Sequence, residues 1–390
     1  MSLGVDFMAS LPDAPTATHL EYYLQHGLNP VHYEMTDPQR HLERRGSLYR
    51  ALGIPPLAIR SANVLEVAPG SGQNSLYLAS CAPRSLTLVE PNPTALQDIR
   101  ATYKRYGGEV QPHIVCSTLQ DFQPQEWYDL VICENWLGSS AEERALLRKL
   151  GTFLAPGGLL AITTVSPVGV LWNVLRKAFT CRIRTPNCNF ADLSEKLCRA
   201  FGPHLQTIPG MTRTVQDWVH DNVMNPAYLG IMLSIPMAIA ELGAQFDVLG
   251  SSPKFSTDWR WFKQLCGASR EFNHHFLMNY AEQLHNFLDY REMLPAQSTR
   301  VNMQREEQAM RICEAVKALE ANPTETQPVM HAVQQMLPLM QGLPQQNSTA
   351  LNEFLSEFSM NEVSVERIAA MPEFSKCFGR ETVYLSFEKR

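Results

Sequence analysis

One short stretch and one distant acid carry the clearest chemistry in this sequence. Glu66-Val67-Ala68-Pro69-Gly70-Ser71-Gly72 follows an apolar run and leads into a helix-forming segment from Gln73 to Ala79. A second apolar run ends in Glu90. Glycines at a strand-to-helix turn let the backbone approach a ligand closely, and the helix that follows offers free N–H groups. An acid ending the next strand can accept hydrogen bonds from both hydroxyls of a ribose. A nucleoside cofactor is therefore expected, and two kinds compete. A dinucleotide wants a third glycine for its pyrophosphate, but that position is Ser75 and no second glycine-rich fingerprint exists. The other kind needs an acid near an amino group, small residues under a ribose and an acid on the second strand. Glu66 and Glu90 supply the two acids.

These residues need a sheet to hold them. Short apolar runs at Asn63–Ala68, Ser85–Glu90, His113–Cys116, Tyr128–Cys133 and Leu159–Val165 alternate with helical stretches, which predicts crossovers and a parallel sheet. Pro156-Gly157-Gly158 marks a turn just before the fifth strand. Strand patterns return only at Gln245–Gly250 and Thr382–Phe387, which suggests a closing antiparallel pair split by a large insertion. The expected fold is α/β: a doubly wound, mostly parallel seven-stranded sheet with an antiparallel last strand and large, mostly helical insertions. The expected segments are a helical cap (1–60), a cofactor core (61–166), a helical lid (167–244), a returning strand (245–252), a second helical insertion (253–378) and a terminal strand (379–390). Within the cap, Asp37 caps a helix that starts at Pro38 and runs to Leu52. Breaks are expected at Pro186, Pro203, Pro209-Gly210 and Pro226, and the apolar run 229–244 reads as a helix pair broken at Pro236. Residues 258–370 read as helical between prolines, and the Gln/Pro-rich 321–350 as short packed helices.

At these motifs the sequence resembles the class I S-adenosylmethionine (SAM)-dependent methyltransferases. The likeness rests on Glu66–Gly72, on Leu88-Val-Glu90-Pro-Asn92, on Tyr128-Asp-Leu-Val-Ile-Cys-Glu134-Asn135 and on Leu154-Ala-Pro-Gly-Gly-Leu-Leu160. It covers residues 60–166 well and the two late strands weakly. It implies SAM as cofactor, with Ala68, Pro69, Gly70, Ser71 and Gly72 under its methionine part and Glu66 holding the ammonium. It further implies that Glu90 takes the ribose hydroxyls and that Pro91 and Asn92 lie beside the adenine. Thr118 and Leu119 would contact that ring through backbone atoms, and Glu134 and Asn135 would border the transferable methyl. Ala68 replaces the family's usual first glycine, and the acid often found after the third strand is absent before Asp121.

The acceptor side is less defined. Glu134-Asn135-Trp136-Leu137 is not the Asn/Asp-Pro-Pro-aromatic motif of enzymes that methylate amino groups of adenine or glutamine. Removing a proton from an acceptor needs a base, and His26, His32 and His220 are the candidates. Tyr22, Tyr33, Arg40, Trp136 and Trp259 are candidate substrate contacts. Arg40, Arg44 and Arg45 otherwise read as a solvated face paired with Asp37 and Glu43, and Trp259-Arg-Trp261 as core packing.

Composition bounds the rest. The chain has 390 residues, 45% hydrophobic and 18% charged, with net charge −6, which excludes wholesale disorder and disfavours general nucleic-acid binding. Nine cysteines without C-x-x-C spacing predict reduced thiols, no metal site and a cytoplasmic protein. The first twenty residues lack the pattern of a signal peptide, and no stretch suits a membrane span. The expected function is methyl transfer to an oxygen or nitrogen of a small-molecule acceptor under a helical lid, with the helical half available for a homodimer contact. The alternatives are a nicotinamide-dependent oxidoreductase and a catalytically silent SAM-fold binding module.

Overall fold

The computed structural model describes residues 18–138, 140–185, 187–230 and 233–390; the first seventeen residues, part of the expected cap, lie outside them. Seven strands form one sheet: β1 (Asn63–Val67), β2 (Ser85–Val89), β3 (His113–Val115), β4 (Tyr128–Cys133), β5 (Leu154–Val165), β6 (Phe246–Ser252) and β7 (Thr382–Lys389). Their order is β3-β2-β1-β4-β5-β7-β6. β1 to β5 run parallel, and β7 is antiparallel to both β5 and β6. This is the expected α/β fold. The central strands read as mostly apolar runs, Glu66 in β1 being the exception that matters, because helices cover both of their faces.

The two faces differ. Val64, Leu86, Leu88, Leu130 and Ile132 pack against Tyr49 and Leu52 of the cap and against Leu76, Leu78 and Ile99 of the crossover helices. Leu65, Val67, Val131, Leu160 and Ile162 belong instead to a cluster that continues without interruption into the insertions, through Trp172, Phe179, Ile312 and Phe354. The helical half is thus fused to one face of the sheet by a common apolar core.

Several expected boundaries move, each for a local reason. Pro156-Gly157-Gly158 lies inside β5: Tyr128 pairs with Leu154 and Leu130 with Leu159, so the intervening residues bulge, with Gly157 at φ +74°. Pro203 does not break a chain segment but sits in the last turn of the Phe190–Leu205 helix. Pro236 starts a helix, Ile235–Leu242, capped by the Ser234 side chain, where proline's missing N–H costs nothing. Pro328 and Pro338 likewise stand at helix starts. The expectation of helix from 258 onward fails over residues 258–271, which form a loop with two short 3-10 turns. Asp37 caps the Pro38–Ala51 helix by accepting from the Arg40 N–H.

Candidate active site at the carboxyl edge of the sheet

The turn after β1 is held from three sides. Ala68 at φ +56°, Gly70 at +60° and Gly72 at +73° all adopt left-handed backbone. The family's usual glycine at the position of Ala68 is explained by that angle, which costs a residue with a Cβ about 1 kcal/mol or more. A Cβ on Gly70 would come 2.7 Å from a methyl of Val31, and one on Gly72 would press on Ile99 at 3.2 Å.

Val31 belongs to a strap, residues 27–33, that crosses the turn. The Ser71 hydroxyl donates to the Val31 carbonyl at 2.7 Å, and the Asn92 amide donates to the Leu28 carbonyl at 2.9 Å. Gln73 accepts from the Tyr33 N–H at 2.7 Å and donates back to its carbonyl. His32 is pinned between Asp98, at 3.1 Å, and Asp217, at 3.2 Å. Its pKa is raised by the hydrogen bond to Asp217 against the opposing effect of burial, with the charges of Asp217 and Asp98 adding. Arg213 donates to the Pro30 carbonyl and pairs with Asp221 at 2.6 Å. The strap is therefore tied both to the sheet core and to the first insertion.

Glu90 lies buried at the end of β2. Its carboxylate accepts from the Asn92 N–H at 2.9 Å and, more weakly, from the Gly70 N–H at 3.4 Å. Burial nevertheless pushes its pKa up to about 7. Beneath the turn, Glu66 and Glu134 project from the face that the Pro38–Ala51 helix covers. Arg45 of that helix pairs with Glu134 and donates to Tyr49 at 3.4 Å. Burial, then the nearby Glu134 charge, pushes the Glu66 carboxyl up to about 7. Ser75 and Tyr103 adjoin the same group. Among the described residues, ten buried side-chain polar atoms have no hydrogen-bond partner of good geometry, and five belong here: Arg45 Nε, Glu66 Oε2, Ser75 Oγ, Tyr103 Oη and Glu134 Oε2, with the Ser75 hydroxyl near enough to Glu66 and Tyr103 to favour their ionised forms. Buried polar groups are normally satisfied, so this concentration marks a place suited to a polar, cationic ligand group.

At the exit of β4, Asn135 is exposed with φ +54°, and its N–H donates to the Thr163 hydroxyl at 2.6 Å. The Thr382 hydroxyl lies 3.4 Å from the Asn135 side-chain oxygen. Next to Thr382 is Glu381, whose carboxyl burial pushes up to about 7, with Asn173 and Arg176 opposing.

The remaining expected residues scatter around this edge. His26 stacks on Phe190, whose ring also meets His220, with centroids at 4.3 and 5.1 Å. His220 is bonded to the Ser194 hydroxyl at 2.8 Å, and burial lowers its pKa. The Tyr22 hydroxyl donates to the His220 carbonyl at 3.2 Å. Tyr33 is half-buried beside His41, and Trp136 packs at the border of the larger core. Arg40 is exposed, its guanidinium facing Gly210. Pro91 is half-buried; Thr118 bonds Asp121 at 2.7 Å, and Leu119 is buried in the core. Trp259 stands in solvent, contrary to the packing expected of it.

Arg45 and Glu381 escaped sequence reasoning. For Arg45 a signal existed: His41, Arg45 and Tyr49 repeat every four residues and are the buried face of their helix. The expected solvated face does not hold for Arg45. None of the three arginines pairs with Asp37 or Glu43 among the described residues. For Glu381 no local pattern sets it apart.

Strand order and a glycine turn facing an acid define a nucleoside-cofactor-binding α/β protein. Residues 64–158 match the model of a methyltransferase domain. This segment is a methyltransferase domain of the class I type, whose cofactor is S-adenosylmethionine. No curated protein matches the chain. Among solved structures, it is similar to an N-methyltransferase from Bradyrhizobium japonicum in complex with S-adenosylhomocysteine, at 22% identity and a TM-score of 0.27. That match covers 33% of this chain and 63% of the other, so less than two thirds of that enzyme's length is spanned. A magnesium protoporphyrin IX methyltransferase from Synechocystis with bound SAM is 16% identical, with a TM-score of 0.31 over 37% of this chain and 74% of that one. A coclaurine N-methyltransferase is 12% identical, with a TM-score of 0.37 over 90% of this chain and 71% of that one.

Proposed function

We propose that the protein transfers the methyl group of SAM to an oxygen or nitrogen of a small-molecule acceptor held beneath the cap and the inserted helices. The observation that carries this reading is the group of unmatched buried polar atoms under the glycine turn. The cofactor core would be residues 61–166 with 245–252 and 379–390, and the lid would be the helical segments 167–244 and 253–378.

Glu66 and Glu134 would face the cofactor's ammonium, with Arg45 holding Glu134 in place. Ala68, Pro69, Gly70, Ser71 and Gly72 would floor the methionine part. Glu90 would exchange its weak bond from Gly70 for ribose hydroxyls. Pro91, Asn92, Thr118 and Leu119 would border the adenine. Bound SAM supplies a sulfonium-activated methyl group. Asn135 and Trp136 would border the transfer site, with Tyr22, His26 and His220 on the acceptor wall. His32 serves better as a clasp than as a base, because two carboxylates hold it.

Proton removal is assigned to Glu381. It precedes Thr382, whose hydroxyl reaches Asn135, and its pKa of about 7 suits a base working near neutrality. Calorimetry with SAM tests the cofactor side: Glu90→Ala should weaken binding by about 1–3 kcal/mol. Micromolar NAD(P)H binding with no SAM binding would overturn the reading. For the base, tritiated methyl transfer to a panel of small alcohols and amines is the measurement. Glu381→Gln should leave SAM affinity intact and lower turnover about a hundredfold or more, with loss of the pH step near 7.

A further inference from the structure

The loop that follows β6 exposes three aromatic rings together. Trp259 is 92% exposed, Trp261 58% and Phe262 68%. In ordinary loops such rings turn inward, since leaving one in water forfeits its burial free energy. This loop is nevertheless firmly built. Arg260 grips both oxygens of Asp258, at 2.9 and 3.1 Å, and donates to the carbonyls of Ser269 and Arg270 at 3.2 and 3.1 Å. At its root, Phe255 packs on Phe276 and Phe287 with centroids at 4.8 and 5.4 Å. The rings are thus held outward by a closed polar clasp.

The same loop carries a local positive excess. Residues 253–271 contain four basic and two acidic side chains, a local excess of two positive charges in a chain of net charge −6. Both acids and bases at the clasp are engaged: Arg260 with Asp258, and Arg270 with Asp247. Lys254 and Lys263 form no ion pair among the described residues, and the Lys263 ammonium lies over the Trp261 ring at 5.7 Å. Both lysines are exposed.

We propose that this aromatic-basic finger, with Trp259, Trp261 and Phe262 at its tip, docks the protein on an anionic phospholipid surface. Indole rings settle at the headgroup level of a bilayer, where lysine and arginine meet anionic lipid. Exposed rings on one loop, with Trp261 and Phe262 in contact at 5.3 Å and a lysine beside them, suit a deformable interface that closes around them. No spanning segment is involved: among the described residues no helix is long and apolar enough to cross a membrane. The finger leaves the sheet at the edge that carries the candidate active site, since Ser252 pairs with Tyr384 and Tyr384 with Thr163. Docking would turn that edge toward the lipid. This orientation rests on the methyltransferase reading; the docking itself does not.

The test is co-sedimentation of the full chain with phosphatidylcholine vesicles, with and without phosphatidylglycerol, together with tryptophan emission. SAM affinity is measured separately by calorimetry, so that failure of the cofactor reading stays distinct from failure of docking. Wild-type protein is expected to bind the mixed vesicles with a blue shift. Combined Trp259→Ala, Trp261→Ala and Phe262→Ala should weaken that binding about tenfold or more, without altering the melting temperature. Combined Lys254→Glu and Lys263→Glu should abolish the preference for phosphatidylglycerol. Wild-type protein that ignores mixed vesicles overturns the proposal. So does a dimer, seen by sedimentation, that the triple alanine variant dissolves, since the finger would then serve a second copy of the chain.

Discussion

Two buried cations of this molecule are satisfied to different degrees. In the helical body, Lys177 is fully enclosed, and its three donors meet three acceptors: Glu320 at 2.8 Å, the Asn225 carbonyl at 2.8 Å and the Val223 carbonyl at 3.4 Å. At the carboxyl edge of the sheet, Arg45 is as well buried, yet its Nε and one oxygen of its partner Glu134 have no mate. Burial costs both ions solvation, and only complete pairing offsets it. Lys177 ties the Pro167–Ile183 helix to the Thr299–Ala321 helix and to the turn at Val219–Met224, as a scaffold should. Arg45 leaves bonding capacity over, as a site that awaits a charged ligand should.

The comparison breaks most visibly at Lys177. Lys177→Ala should cost about 3 kcal/mol or more of unfolding free energy, because two buried carbonyls and a half-buried carboxylate lose their donor. Urea denaturation measures it, and a loss below about 1 kcal/mol would place this cation among ordinary surface pairs.

At the sheet edge, Glu66→Gln should behave in the opposite sense. SAM affinity should fall about tenfold to a hundredfold, as a charged contact is lost, while the ligand-free protein should be no less stable. The sign follows from linkage. An acid whose folded pKa of about 7 exceeds its unfolded value near 4.5 holds more protons when folded between those limits. Its contribution to stability is therefore full at low pH and is lost as pH rises toward 7. Denaturation curves taken across that window should flatten in Glu66→Gln, and an unchanged slope would refute the assignment. Glu90, also near 7, should leave part of the slope in place.

The smallest effect concerns the turn itself. Ala68→Gly relieves a left-handed alanine but loosens the unfolded chain, so a gain of about 0.5–1 kcal/mol is expected from thermal melting. A loss would mean that the methyl group packs usefully in place.

The sheet was legible because its signals are local. Each buried strand is a short apolar run, the glycines sit at a turn, and Glu90 ends its strand. Even the antiparallel closure showed in two late alternating segments. The pairing of Arg45 with Glu134 spans 89 residues and depends on a helix docking against the Ser75–Ser80 helix and β6, which no local pattern encodes. Prolines misled where they were read as breaks, since Pro236 and Pro328 occupy first-turn positions that cost no hydrogen bond. Arg260 misled in another way: its clasp with Asp258 fixes residues 258–271 as a loop that outward-facing rings would not otherwise favour.

The strap over the glycine turn bears on how any cofactor affinity should be read. With Val31 seated against Gly70 and Ser71 bonded to its carbonyl, a nucleoside lying on the turn would have to displace the strap. Measured affinity would then equal the intrinsic value reduced by the fraction of molecules whose strap stands open. Weakening His32, which links the strap to Asp98 and Asp217, would then tighten SAM binding without touching a single cofactor contact.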